Sequence, residues 1–248
     1  MQGLPPAAPP PTEAQLRWLD LIPVLVFTIL GVILVFVVVV VLARLDRSFY
    51  RANLETIALS ATLVIYLAFG AGIAVALRRL RWPLAFLGLR WPRPRDLGLT
   101  AALLVPWYIG IAIVTALSSA VLNGGRVVPG NTRQLFIQHP HGLGILVLAL
   151  LVTAVAAPLC EEAFFRGMLF RLLRRRFPLW AAVLLSAIAF GLAHASPTVS
   201  FALLPVFTYM GIVLAVVYAW TGSLTNTVLL HSLNNAVGTV TVYALLTR

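Results

Sequence analysis

Charge is what this chain has least of. Only 10% of its 248 residues are Asp, Glu, Lys or Arg, while 61% are hydrophobic. A soluble globular domain is excluded, because it could not cover that much apolar side chain with polar surface. Cysteine is almost absent. Cys160 stands alone, which excludes an intrachain disulfide and any cysteine-only metal site. Lysine is missing, so all eighteen basic residues are arginine; we have no physical account of that choice. The net charge of +11 could suit nucleic acid, but the arginines flank apolar runs, as loop arginines do in polytopic membrane proteins. No nucleic-acid partner is expected. The chain shows no internal repeat and no stretch with the composition of a soluble domain.

What is present is a series of apolar runs separated by arginine-rich or Gly/Pro/Asn-rich breaks. Lipid is the solvent such runs need. Residues 1–20 are proline-rich and read as a disordered cytoplasmic tail, unlike a secretory signal. Three spans are predicted over 21–122: Leu21–Ala43, about Thr56–Leu77, and about Leu97–Leu122 with Pro106 as a kink site. The segment NGGRVVPGNTRQ is a loop by composition. A second group is predicted over 142–246: a helix from near Gly142, then Leu179 to Ala195, Phe201 to Trp220 and Leu224 to Leu246. The fold class expected is all-α, a polytopic transmembrane bundle of about seven spans with a four-helix core over 142–246. With the amino terminus in the cytoplasm, eleven loop arginines lie inside and six outside, which favours that orientation. Tryptophans near the ends of runs (Trp82, Trp91, Trp180, Trp220) read as interfacial anchors.

Against this background, APLCEEAFFRG at 157–167 is anomalous. An ionisable side chain at the middle of a span costs roughly 2.5–3.5 kcal/mol on insertion scales, so such residues are functional candidates when partners exist. Two more spans carry polar residues at helical spacing: FGLAH has Phe190 and His194 four apart, and HSLNN has His231 and Asn235 four apart. Residues four apart share a helix face. Three helices thus each present a polar face, made of Glu, Arg, His and Asn. With a turn at Phe177–Pro178, the glutamates and His194 each lie about 16 residues, roughly 24 Å, from the tip of one hairpin. They are therefore expected at one level.

Glu162 precedes Arg166 by four residues, the favourable order for an ion pair. Glu161 points about 100° away. An unpaired carboxylate in a low-dielectric site is suited to act as a general base. Glu161 is therefore read as base for a water that His194 helps to hold. Glu162 and Arg166 support that face, and His231 and Asn235 are placed to stabilise an oxyanion. The arrangement predicts amide hydrolysis by water with no covalent intermediate. Cys160, in apolar surroundings, reads as an inert thiol. His139 and His141 read as loop residues, and Asn234 as a bond to a neighbouring helix. The basic stretch Arg171–Arg176 reads as a membrane-surface anchor, with docking of an acidic substrate tail as the alternative.

The three patterns EExxxR, FxxxH and HxxxN, in that order on successive spans, resemble the CAAX prenyl protease and bacteriocin-processing (CPBP) family, whose members include type II CAAX prenyl endopeptidases. The resemblance covers about 142–246. It implies an intramembrane glutamate-type endopeptidase, in which Glu161 and His194 activate water, His231 and Asn235 form the oxyanion site, Glu162 and Arg166 support it, and Phe190 packs the pocket. It implies a membrane-associated protein or peptide substrate, cut near a terminus: a CAAX-type tail, a leader peptide or a C-terminal sorting signal. The expected location is the bacterial inner membrane. No cofactor is expected. The chain has no HExxH, yet Glu161, His194 and His231 could form a two-His, one-carboxylate zinc set. Two other classes use the same buried charges, a transporter with a proton relay and a non-catalytic immunity or interaction protein.

Overall fold

The computed structural model describes residues 16–126, 136, 142–196 and 199–247. Residues 1–15 of the tail, and the calls on Arg133, His139, His141 and Arg248, lie outside the described residues. Eight helices are present among the described residues: α1 (Ile22–Leu45), α2 (Arg47–Ala52), α3 (Leu54–Leu80), α4 (Pro94–Leu122), α5 (Leu143–Arg174), α6 (Leu179–Ala193), α7 (Leu204–Thr221) and α8 (Leu224–Leu246). No strand occurs among them, and the chain is a polytopic all-α membrane bundle.

Local chemistry sets the boundaries. Asp46 breaks α1 from α2 and caps the latter, accepting from Ser48 N and Phe49 N at 2.9 Å each. Backbone and hydroxyl donors hold its exposed carboxyl below the usual carboxylate range. Helix α4 opens on Pro94, where a missing N–H costs nothing, and runs on through Pro106 as one helix. Helix α7 stops at Gly222, whose φ of 61° a side chain would disfavour.

Five helices are long and apolar enough to cross a membrane: α1 with its preceding turn, α3, α4, α5, and α7 with its preceding turn. The sequence reading of seven spans counted two more. At 15 residues, α6 reaches only about 22 Å, short of a hydrocarbon core of about 30 Å. Helix α8 has 23 residues, but Asn226, His231, Asn234, Asn235 and four threonines dilute its apolar content. Both helices spend their polarity or shortness on the site described below. The tail, too, differs from expectation where it is described: Leu16 is fully buried and Trp18–Leu21 form a 3-10 turn against α3.

Two packing groups position the site. Leu16, Val24, Ile73, Ala76, Met168 and Leu173 join α1 and α3 to the end of α5. Trp107, Phe165, Phe190, Phe207, Leu214 and Leu230 join α4, α5, α6, α7 and α8. Helices α6 and α7 approach closely because Gly211 has no side chain: a Cβ there would lie 2.8 Å from Ala187 Cα. Small residues at such contacts let backbones meet where no hydrophobic effect separates helix from lipid.

Candidate active site

Helix α5 departs from α geometry on both sides of the glutamate pair. Residues Ala157–Phe164 are α-helical, between π-helical stretches at Leu151–Ala156 and Phe165–Phe170. Such stretches free backbone groups from the ladder and cluster at functional sites. The first has a cause in the sequence. Ala157 N–H reaches five residues back, to Val152 O. The next donor in that register would be residue 158, a proline with no N–H. The carbonyl it would have reached, Thr153 O, instead accepts from Asn235 Nδ2 of α8 at 2.8 Å. In the second stretch, Phe165 O accepts from Ser186 Oγ of α6 at 3.3 Å.

Glu162 and Arg166 form the expected pair, 2.7 Å apart and both fully buried. Arg166 also donates to Gly211 O on α7 at 3.1 Å, and its guanidinium carbon lies 4.6 Å from the centre of the Phe190 ring. A third group meets this pair. His231 Nδ1 is 3.0 Å from Glu162 Oε1. The same Oε1 already accepts from Arg166 Nη1 at 2.7 Å, so Nδ1 is read as the donor in this contact. His194 Nδ1 lies 2.8 Å from Phe190 O, a carbonyl that can only accept, so here too Nδ1 is the donor. Each imidazole therefore turns Nε2 the other way.

Both Nε2 atoms face Glu161. Its Oε2 lies 3.8 Å from His194 Nε2 and 3.9 Å from His231 Nε2. That oxygen is buried and accepts no hydrogen bond from the described residues. The other oxygen, Oε1, accepts a 2.5 Å bond from the Tyr66 hydroxyl of α3. Fully buried Phe190 sits at the centre, its ring 4.7 Å from that of His194 and 5.8 Å from that of His231. Phe207 stacks on His194 at 4.4 Å. Of the seven residues singled out by sequence, six thus meet in one cluster around the glutamate pair. Asn235 reaches it through the α5 backbone, at Thr153.

Asn235 also ends a relay: Trp107 Nε1 of α4 donates to Asn234 Oδ1 at 3.0 Å, and Asn234 Nδ2 to Asn235 Oδ1 at 3.1 Å. Asn234 does bond a neighbouring helix. Tyr66, Trp107, Thr153 and Pro158 escaped the sequence reading, which found no motif in the first three spans. A tyrosine in the middle of a span, away from the interface its hydroxyl prefers, was the available signal. Cys160 Sγ donates to Tyr66 O at 3.4 Å.

The Glu161, His194 and His231 atoms are of types that bind zinc at about 2.0–2.2 Å. Two ligands of one tetrahedral ion then stand about 3.4 Å apart, and the separations here are wider. Among the described residues no group of three or more His, Cys, Asp or Glu side chains is arranged to hold an ion.

Residues 143–237 match the family model of type II CAAX prenyl endopeptidase Rce1-like proteins. Over 129 residues the chain is 27% identical to an uncharacterized 24.3 kDa protein of Escherichia coli, covering 51% of this chain and 59% of that one. Over 156 residues it is 29% identical to the membrane-embedded CAAX protease MroQ of Staphylococcus aureus (strain USA300), covering 58% of this chain and 59% of that one. The chain thus spans about three fifths of the length of these curated relatives. No solved structure matches it.

Proposed function

We propose that this chain, whose membrane core belongs to the CPBP family, is an intramembrane endopeptidase that cleaves a membrane-associated protein or peptide near a terminus. The observation that carries the reading is Glu161 Oε2, buried and without a hydrogen bond from the described residues, faced by two imidazole Nε2 atoms at 3.8 and 3.9 Å. A water placed there donates one hydrogen to Glu161 and the other to the lone pair of His194 Nε2. Glu161 takes the proton as the water oxygen attacks the scissile carbonyl. The tetrahedral oxyanion needs donors. His231, its ring held by the 3.0 Å bond between Nδ1 and Glu162, is placed to donate to it from Nε2. Asn235 supplies the second hydrogen of its amide, the first being held by Thr153 O. Glu161 then returns its proton to the leaving amine, so the protein ends as it began. No metal takes part. The substrate is membrane-bound because the chain is, and the bilayer is a partner of the reaction. The chain works in a bacterial inner membrane with its amino terminus in the cytoplasm.

Glu161→Gln tests this reading. It keeps the shape and the acceptor for Tyr66 but removes the base. Membrane proteomics of a deletion strain, complemented with the native chain or with Glu161→Gln, should show a protein that keeps an uncut terminal segment in the deletion. Only the native chain should restore the cut. Restoration by Glu161→Gln would refute the proposal.

A further inference from the structure

Among the described residues, the end of the bundle where α1 begins, α3 ends, α4 begins and α5 ends carries few carboxylates. It carries Arg17, six arginines between 78 and 95, and four between 171 and 176. The carboxylates described there are Asp20 and Asp96, and both are committed. Asp20 accepts from Arg17 N at 2.7 Å and lies 3.7 Å from Arg79. Asp96 takes both nitrogens of Arg90, at 2.5 and 2.8 Å, and Arg93 N at 2.7 Å.

Within this end, a cavity of about 620 Å³ lies between the last turn of α5, the first turns of α6 and the end of α7. One wall is cationic, with Arg171, Arg174 and Arg175; no carboxylate among the described residues lines it. Arg171 is fixed by a 2.7 Å bond to Tyr218 Oη and a 3.0 Å bond to Phe86 O. Arg174 donates to Phe177 O at 2.8 Å, and Arg175 to Leu16 O. The bonds of Arg174 and Arg175 go to neutral carbonyl oxygens, so they orient those two guanidiniums without neutralising them. The other wall is apolar, with Leu179, Val183 and Val216. Leu179 and Val216 are exposed on the flank of the bundle. Trp180 and Trp220, 71% and 73% exposed, stand at the same level, as residues at a membrane interface do.

A cationic wall over an apolar, lipid-facing wall at interface depth matches one chemistry, a phosphate ester carrying acyl chains. We propose that this cavity binds an anionic phospholipid, its phosphate on Arg174 and Arg175 and an acyl chain against Leu179, Val183 and Val216. An acidic peptide tail would satisfy the arginines but would leave the apolar wall uncovered.

The test uses the full chain in nanodiscs of equal phosphatidylglycerol and phosphatidylcholine, released and weighed by native mass spectrometry. The native chain should retain phosphatidylglycerol in preference. Arg174→Gln/Arg175→Gln should lose about 25-fold in that retention, since each basic residue at an anionic headgroup contributes roughly fivefold. Arg44→Gln/Arg47→Gln, at the far end of α1, should retain it. Equal retention of the two lipids, or unchanged retention in Arg174→Gln/Arg175→Gln, would overturn the proposal. So would displacement by inorganic phosphate at equal concentration, which would mark a plain anion site. Capture of an acidic peptide with no lipid adduct would assign the wall to substrate instead.

Discussion

Tyr66 and Glu161, 95 positions apart, share a 2.5 Å hydrogen bond that ties the second long helix to the proposed base. The phenol occupies one oxygen of the carboxylate and leaves the other facing the two imidazoles. Its role is positioning, since it touches Glu161 and not the proposed water. Tyr66→Phe keeps the ring and removes the bond. An unsatisfied buried acceptor costs about 1–3 kcal/mol, so kcat should fall by about 5- to 150-fold with KM unchanged. A rise in KM with kcat intact would place Tyr66 in substrate binding instead.

The Glu162–Arg166 pair invites a test that separates structure from chemistry. Both side chains are fully buried, so removing one leaves a charge without its counterpart. Arg166→Leu and Glu162→Leu should each destabilise the chain by about 3–5 kcal/mol. Glu162→Leu/Arg166→Leu should be less destabilised than either, because no lone charge remains. Thermal unfolding in detergent reads this order. The double variant should nevertheless be inactive, since His231 has lost the carboxylate that orients it.

The sequence showed the all-α membrane bundle because apolar runs of that length have one use, and it showed Glu162–Arg166 because a helix fixes what lies four residues away. The level at which Glu161 and His194 meet followed from counting along one hairpin. Tyr66 and Trp107 did not follow, because contacts between helices far apart in sequence depend on packing angles that no local pattern encodes. The π-helical stretches were equally hidden. The first depends on Pro158 having a substitute donor at Thr153, and that donor, Asn235, lies 82 positions away. By length and composition five helices are long and apolar enough to cross a membrane; α6 is too short and α8 too polar to count by that measure, which reads each helix alone and not its neighbours.

The mechanism has no step that uses a metal, which gives a direct check. Purified chain dialysed against 1,10-phenanthroline should keep its turnover, and added zinc should not raise it. If zinc were held by Glu161, His194 and His231, chelation would abolish cleavage and zinc would restore it. A spectroscopic cobalt substitution would then show nitrogen and oxygen ligands at that site.

Pro158 and Asn235 yield a prediction in which stability and activity move in opposite directions. A proline inside a helix costs a backbone hydrogen bond, and here the bond it forgoes is the one that would have closed on Thr153 O. The vacated carbonyl holds the Asn235 amide at 2.8 Å. Pro158→Ala restores the N–H, so the ladder can close and compete with Asn235 for the same oxygen. The added bond should make the chain more resistant to heat. The amide should lose its anchor, and kcat should fall by about tenfold, the worth of one well-placed hydrogen bond. Asn235→Ala supplies the contrast: activity should fall without the gain in stability, because Thr153 O is then left without its donor. Were Pro158→Ala to unfold at a higher temperature and keep full kcat, Asn235 would be a helix tie alone, and the oxyanion would rest on His231.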